Sequence, residues 1–157
     1  MSDPFDLNAQ VFSQVVKHAP LVSIDLILQD PQGRIFLGCR RNQPAKGTWF
    51  VPGGRIRKGE RLDQALRRIV KDELGMDANL SDAEFIGVFE HFYEDNFASE
   101  VGYGTHFVVL AHKFVLKSPM TNLPLEQHSN YRWWVSQSLL NRRKFTLIHK
   151  LIFWKLK

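Results

Sequence analysis

Apolar positions follow two different periods along this chain. In LVSIDLILQD (residues 21–30) and RIFLGCR (34–40), apolar residues alternate or run together on either side of PQG, which predicts two strands joined as a hairpin. TWFVPGG (48–54) reads as a short strand halted by Pro52, after which the chain turns through Gly53 and Gly54. In ERLDQALRRIVKDELG (60–75) the spacing changes to three and four. Leu62, Ala65, Leu66, Ile69, Val70 and Leu74 form one stripe, so a helix is predicted with Gly75 as its stop. Residues 7–17 predict a short amphipathic helix. EFIGVFEHFYED and THFVVLAHKFVL predict two long strands joined by the polar loop 94–104. YRWWV predicts another strand, SQSLLN a helical turn, and FTLIHKLIFWK a last amphipathic helix. Strands interleaved with two or three helices imply a mixed sheet covered by helices, an α/β sandwich.

Composition adds limits. The 157 residues suit one domain, 1–157, with a core of its own, and 44% apolar with 24% charged residues argues against disorder. The single cysteine, Cys39, excludes an internal disulfide; with no signal-peptide core or membrane-length apolar run, a cytoplasmic protein is expected. The net charge of +5 admits nucleic acid, an anionic membrane or a polyphosphate as partner. The basic residues cluster in the glycine-rich GCRRNQPAKG and GGRIRKGER, a placement that favours a compact anionic ligand. No helix-turn-helix or base-stacking motif accompanies the charge, so nucleic acid is not expected. The basic tail NRRKFTLIHKLIFWKLK is read as a helix that packs on its own domain or a second subunit, ahead of a membrane.

Two carboxylates stand where apolar residues are expected. Glu73 follows Ile69 by four, in the row of Leu62 and Leu66; it is either an end-of-helix residue reaching solvent or a metal ligand. Asp25 interrupts VSIDLIL and needs a buried partner or a place at a site. Arg68 lies four before Asp72 and eight after Glu60, so it can bridge both.

Gly54, Glu60 and Arg68 match G-x5-E-x7-R, followed by Asp72, Glu73 and Gly75. This resembles the Nudix box, here about residues 54–76, except that Ile69 replaces the first glutamate after the arginine. With LGCRRNQPAKGTWFVPGGR, HFYEDNF, THFVVL and LPLEQHSNYRWW, the chain is similar to the GDP-mannose mannosyl hydrolases, a Nudix subgroup with a depleted box. The resemblance implies a Nudix-type α/β/α sandwich and a homodimer. It implies one Mg2+, with Mn2+ as a substitute, on the Gly53 carbonyl, Glu73 and the Gln127 side chain, an oxygen set that suits this ion.

By the same resemblance, His128 is the general base whose water attacks the anomeric carbon of GDP-mannose, or another GDP-hexose, releasing GDP with inversion. Asp25 is assigned to the sugar side and His91 to the leaving diphosphate. Arg40 and Arg55, beside glycine turns and with forked donors suited to phosphate, are expected to bind the diphosphate oxygens, each being otherwise a surface charge, with Arg68 and Tyr93 as further substrate contacts. Phe107 stands where a tyrosine hydroxyl can occur. Two other readings remain: a Nudix pyrophosphohydrolase attacking phosphorus in a nucleotide sugar or triphosphate, and an inactive domain that only binds nucleotide.

Overall fold

The computed structural model describes residues 7–116 and 128–135, with the backbone alone at 128 and 129. Helix α1 spans Ala9–His18 and begins at Asn8, whose side chain accepts the Val11 N–H at 2.9 Å. Strands β1 (Leu21–Gln29), β2 (Arg34–Arg40), β3 (Trp49–Phe50) and β4 (Gly53–Arg55) precede helix α2 (Leu62–Leu74). A 3-10 turn (Leu80–Asp82) leads to β5 (Glu84–Tyr93), β6 (Thr105–Val115) and β7 (His128–Val135). The expected helical turn in SQSLLN and the final helix lie outside the described residues.

The seven strands of the described residues form one mixed sheet. β1 runs parallel to β6 from Leu21↔Phe107 to Gln29↔Val115, and β5 pairs antiparallel with the other side of β6. The hairpin expected between β1 and β2 is nearly absent. The two strands share only the pair Gln29↔Ile35, beside a turn closed by Asp30, which accepts the Arg34 N–H at 2.8 Å. Beyond that turn β2 pairs with β7 and β3, while β4 fills the open edge of β1. The reason is burial: Leu26, Ile27 and Leu28 are all enclosed, so β1 is a central strand and needs partners along both edges.

The two glycines also depart from expectation, because they form β4 and not a turn. Neither has a positive φ; each is needed for close approach. A Cβ on Gly53 would lie 2.6 Å from the Ile24 carbonyl oxygen and 2.9 Å from Asp25 Oδ1. One on Gly54 would lie 3.2 Å from Ile69 Cγ1. β4 is thus wedged against β1, with Gly53 on the Asp25 side and Gly54 on the helix side.

Alternation along β1 separates two cores. Ile24, Leu26 and Leu28 meet Ala65, Leu66, Ile69, Val70 and Leu74 of α2. Ile27 faces the other way, into a cluster with Ile35, Leu37, Val51, Ala111 and Trp134. Full burial of each such side chain contributes on the order of 1.5–3 kcal/mol. Leu62 does not join the stripe: it starts the first turn of α2 and is 46% exposed, before the helix has met the sheet. Gly75 ends α2 in the left-handed conformation, φ 68°. Phe12 and Val16 of α1 border a cavity on the Ile27 side, so the two helices lie on opposite faces of the sheet. This is the expected α/β/α sandwich.

Candidate active site

The side of β1 away from α2 carries a cavity of about 360 Å³. β1 supplies Ser23 and Asp25, β2 supplies Arg40, and β4 supplies Gly53 and Arg55. His91 and Tyr93 reach it from the end of β5, and Thr105 and Phe107 from the start of β6. Sheet register gathers these positions: Asp25 is opposite Gly53, His91 opposite Phe107, and Tyr93 opposite Thr105. Six of the residues expected at the site therefore meet in one place: Asp25, Arg40, Gly53, Arg55, His91 and Tyr93.

The cavity is electrostatically tense. Asp25 is 9% exposed, and its Oδ2 has no hydrogen-bond partner among the described residues. Burial pushes its carboxyl up from 3.8 to about 7, against the pull of the Arg40 charge. Burial, with Arg40 adding to it, pushes the His91 imidazole down to about 4, so the ring is neutral at pH 7. Its Nδ1 shares a 3.1 Å hydrogen bond with the Tyr93 hydroxyl. Burial, reinforced by Asp25, raises Tyr93 well above the ordinary tyrosine range, which keeps the hydroxyl protonated. Arg40 lies 5.5 Å over the Phe50 ring and Arg55 4.8 Å over Phe12. These cations rest on aromatic faces at the cavity wall, where an anion can take them up.

The box helix holds a different set. Arg68 donates to Glu60 from Nε at 2.6 Å and from Nη2 at 2.8 Å, and to the Arg55 carbonyl at 3.0 Å. A further contact to Asp72, at 3.6 Å, completes the predicted bridge. These bonds lower the Glu60 pKa, the Arg68 hydrogen bond being the largest cause. Arg68 does not line the cavity: its role in the structure is to tie the segment before α2 to the helix. Ile69 is 1% exposed in the apolar core, out of reach of any cation. Glu73 is 4% exposed one turn later and is not among the residues that line the cavity.

Of the expected Mg2+ donors, Gln127 lies outside the described residues. Among the described residues no cluster of three His, Cys, Asp or Glu side chains gathers as a metal site. The donors that are described nevertheless fit a hard cation. Glu73 is a buried carboxylate, and Gly53, packed closely on Ile24 and Asp25, lines the cavity; a carboxylate and a backbone carbonyl are oxygen donors of the kind such an ion takes. At His128 the backbone begins β7 opposite Arg40, next to a bulge after Cys39, which brings the expected base to the strand beside a cavity residue.

Several cavity residues were not singled out in the sequence. Phe12 and Val16 share a face of α1 and look like ordinary packing. Asn42, Gln43 and Pro44 sit in a polar loop, and Phe97 lies within the loop 94–104. Phe107 lines the cavity, with the Tyr93 ring 6.1 Å away, so Tyr93 supplies a hydroxyl beside the site where Phe107 cannot. Tyr103 is instead hydrogen-bonded to Ser13 of α1.

A model of the NUDIX domain matches residues 19–154. The chain belongs to the Nudix family. This Nudix domain is 38% identical over 119 residues to the low-salt glycan biosynthesis protein Agl8 of Haloferax volcanii, covering 75% of this chain and 72% of that one. It is 29% identical over 127 residues to an RNA pyrophosphohydrolase of Caulobacter vibrioides, covering 75% and 70%. Its fold matches a MutT Nudix hydrolase from Burkholderia pseudomallei at TM-score 0.70 and 21% identity, over 89% of this chain and all of that one. The MutT protein of Methanosarcina mazei matches at TM-score 0.69 and 16% identity, over 88% and 94%.

Proposed function

We propose that this Nudix hydrolase cleaves GDP-mannose, or a related GDP-hexose, to GDP and free sugar. Water attacks the anomeric carbon with inversion, and His128 takes its proton. One observation carries this reading: the division of carboxylates in the box. Position 69, a carboxylate in the fuller box, is an isoleucine sealed in the core, Glu60 and Asp72 pair with Arg68, and Glu73 is a buried box carboxylate of the kind that suits a single hard cation. Attack at phosphorus calls for cations around the nucleophile, whereas attack at carbon calls for charge neutralisation on the leaving group.

The residues of the chain then have separate tasks. Arg40 and Arg55 present forked donors to the diphosphate oxygens. Neutral His91 offers a hydrogen bond to the departing GDP without adding a charge. Asp25, on the sugar side, balances positive charge that develops at the anomeric carbon. One Mg2+, or Mn2+ in its place, held by Gly53, Glu73 and Gln127, would neutralise diphosphate charge and make GDP a better leaving group. Similarity to a protein named for glycan biosynthesis supports a sugar-bearing substrate. The reading includes a homodimer as the working form.

The second reading, attack at phosphorus, draws support from the similarity to an RNA pyrophosphohydrolase. A screen of nucleotide sugars with product identification separates the two. Free hexose and GDP are expected, in a reaction abolished by EDTA and restored by Mg2+. Hexose phosphate with GMP would overturn the proposal in favour of phosphorus attack.

A further inference from the structure

The mouth of the cavity is built from pieces distant in sequence, and one short loop holds them together. Asn96, fully buried at 0% exposure, organises that loop. Its Nδ2 donates to the Glu100 and Tyr103 carbonyls at 2.8 and 2.9 Å, and its Oδ1 accepts the Ala98 and Glu100 N–H groups, both at 3.1 Å. Both donors and both lone pairs of the amide are thus used. The residues on either side face outward to other walls. Phe97 lines the cavity and packs on Phe12 of α1, ring centroids 4.7 Å apart. Asp95 reaches across to the loop after β2, where its Oδ2 accepts the Ala45 N–H at 3.1 Å. Its backbone is held in turn by Thr105, whose hydroxyl donates to the Asp95 carbonyl at 2.8 Å.

Ala45 is where the second loop needs holding. It has φ 60°, a conformation that costs a non-glycine residue free energy and persists only when neighbours enforce it. The three residues before it, Asn42, Gln43 and Pro44, form one wall of the cavity and directly follow Arg41 and Arg40. Asp95 itself is not among the lining residues. We propose that Asp95 is a positioning residue for substrate: by gripping the Ala45 N–H it fixes the 41–48 loop as a wall of the cavity. Asn96 is the rigid base from which it does so. This deepens the hydrolase reading, since it rests on that cavity being the substrate site.

The test compares Asp95→Ala with Asp95→Asn, which keeps an acceptor oxygen for the Ala45 N–H but removes the charge. For GDP-mannose hydrolysis, Asp95→Ala is expected to raise KM roughly 10-fold with kcat within about 2-fold, and Asp95→Asn to recover most of the loss, the size expected for one interface hydrogen bond. Thermal unfolding of both variants is measured alongside, with Tm expected to stay within a few degrees of the parent. An unchanged KM in Asp95→Ala, or an Asp95→Asn variant as impaired as the alanine, would overturn the inference while leaving the hydrolase reading intact. Failure of the parent protein to turn over GDP-mannose would instead count against the hydrolase reading. The inference then fails as a claim about that substrate.

Discussion

Arg68, on the α2 side of β1, is bonded to Glu60 at 2.6 Å and reaches Asp72 at 3.6 Å. Arg40, on the cavity side, acts on Asp25 and His91 at a distance, and Asp25 Oδ2 has no hydrogen-bond partner among the described residues. The same kinds of side chain are thus satisfied on one face and strained on the other. Paired charges lower their free energy by staying put, which suits a scaffold. Groups whose protonation is displaced by burial are poised for a ligand that supplies what they lack. Most of the recognisable motif lies on the satisfied side, and the reactive polarity lies across the strand from it.

The largest effect is expected at His128, the proposed base. His128→Ala is expected to lower kcat by roughly 10²–10⁴-fold, read as GDP release under saturating substrate. Undiminished turnover would remove His128 as the base. Next in size is Ile69→Glu, which restores the missing box carboxylate. It places a charge in an apolar core against Gly54, and a loss of about 3–5 kcal/mol in urea unfolding is expected, with no gain of phosphorus attack. A stable variant that acquired such activity would mean that the helix face is not committed to packing.

Asp25→Asn sharpens the contrast through pH. A carboxyl raised from 3.8 to about 7 binds its proton more tightly folded than unfolded. Stability is therefore lost as pH rises from about 4 through 7, and the full penalty applies above that range. In EDTA at pH 8 the asparagine variant should be more stable than the parent by about 2–4 kcal/mol, with little difference near pH 4, while hydrolysis falls. Equal stability at both pH values would show that the carboxyl is not desolvated. Arg68→Ala should have the smallest effect. The lowered Glu60 pKa contributes stability above the ordinary value of 4.5, and that contribution disappears as pH falls below it. A loss of about 1–3 kcal/mol at pH 7, narrowing toward pH 3, is expected from chemical denaturation.

How far each face could be read in advance follows from the same contrast. The α2 stripe declares itself in three-and-four spacing, and the left-handed Gly75 ends it where expected. Asp25 stood out because a carboxylate in an apolar strand is expensive. Strand partners were not legible. The turn after Gln29 signals a hairpin, yet burial on both faces makes β1 a central strand, and local pattern does not say that β4 will fill its edge. Gly53 and Gly54 look like a turn because close approach and turning call for the same residue type. Phe12 and Phe97 were missed because aromatic residues that wall a cavity carry no mark distinguishing them from core.

Hydrolysis of GDP-mannose in 18O-enriched water bears most directly on the central claim, that a single-cation box serves attack at carbon. Mass spectrometry of both products should find the label in the free mannose and none in the nucleotide. Label in a phosphate of the nucleotide would contradict the account.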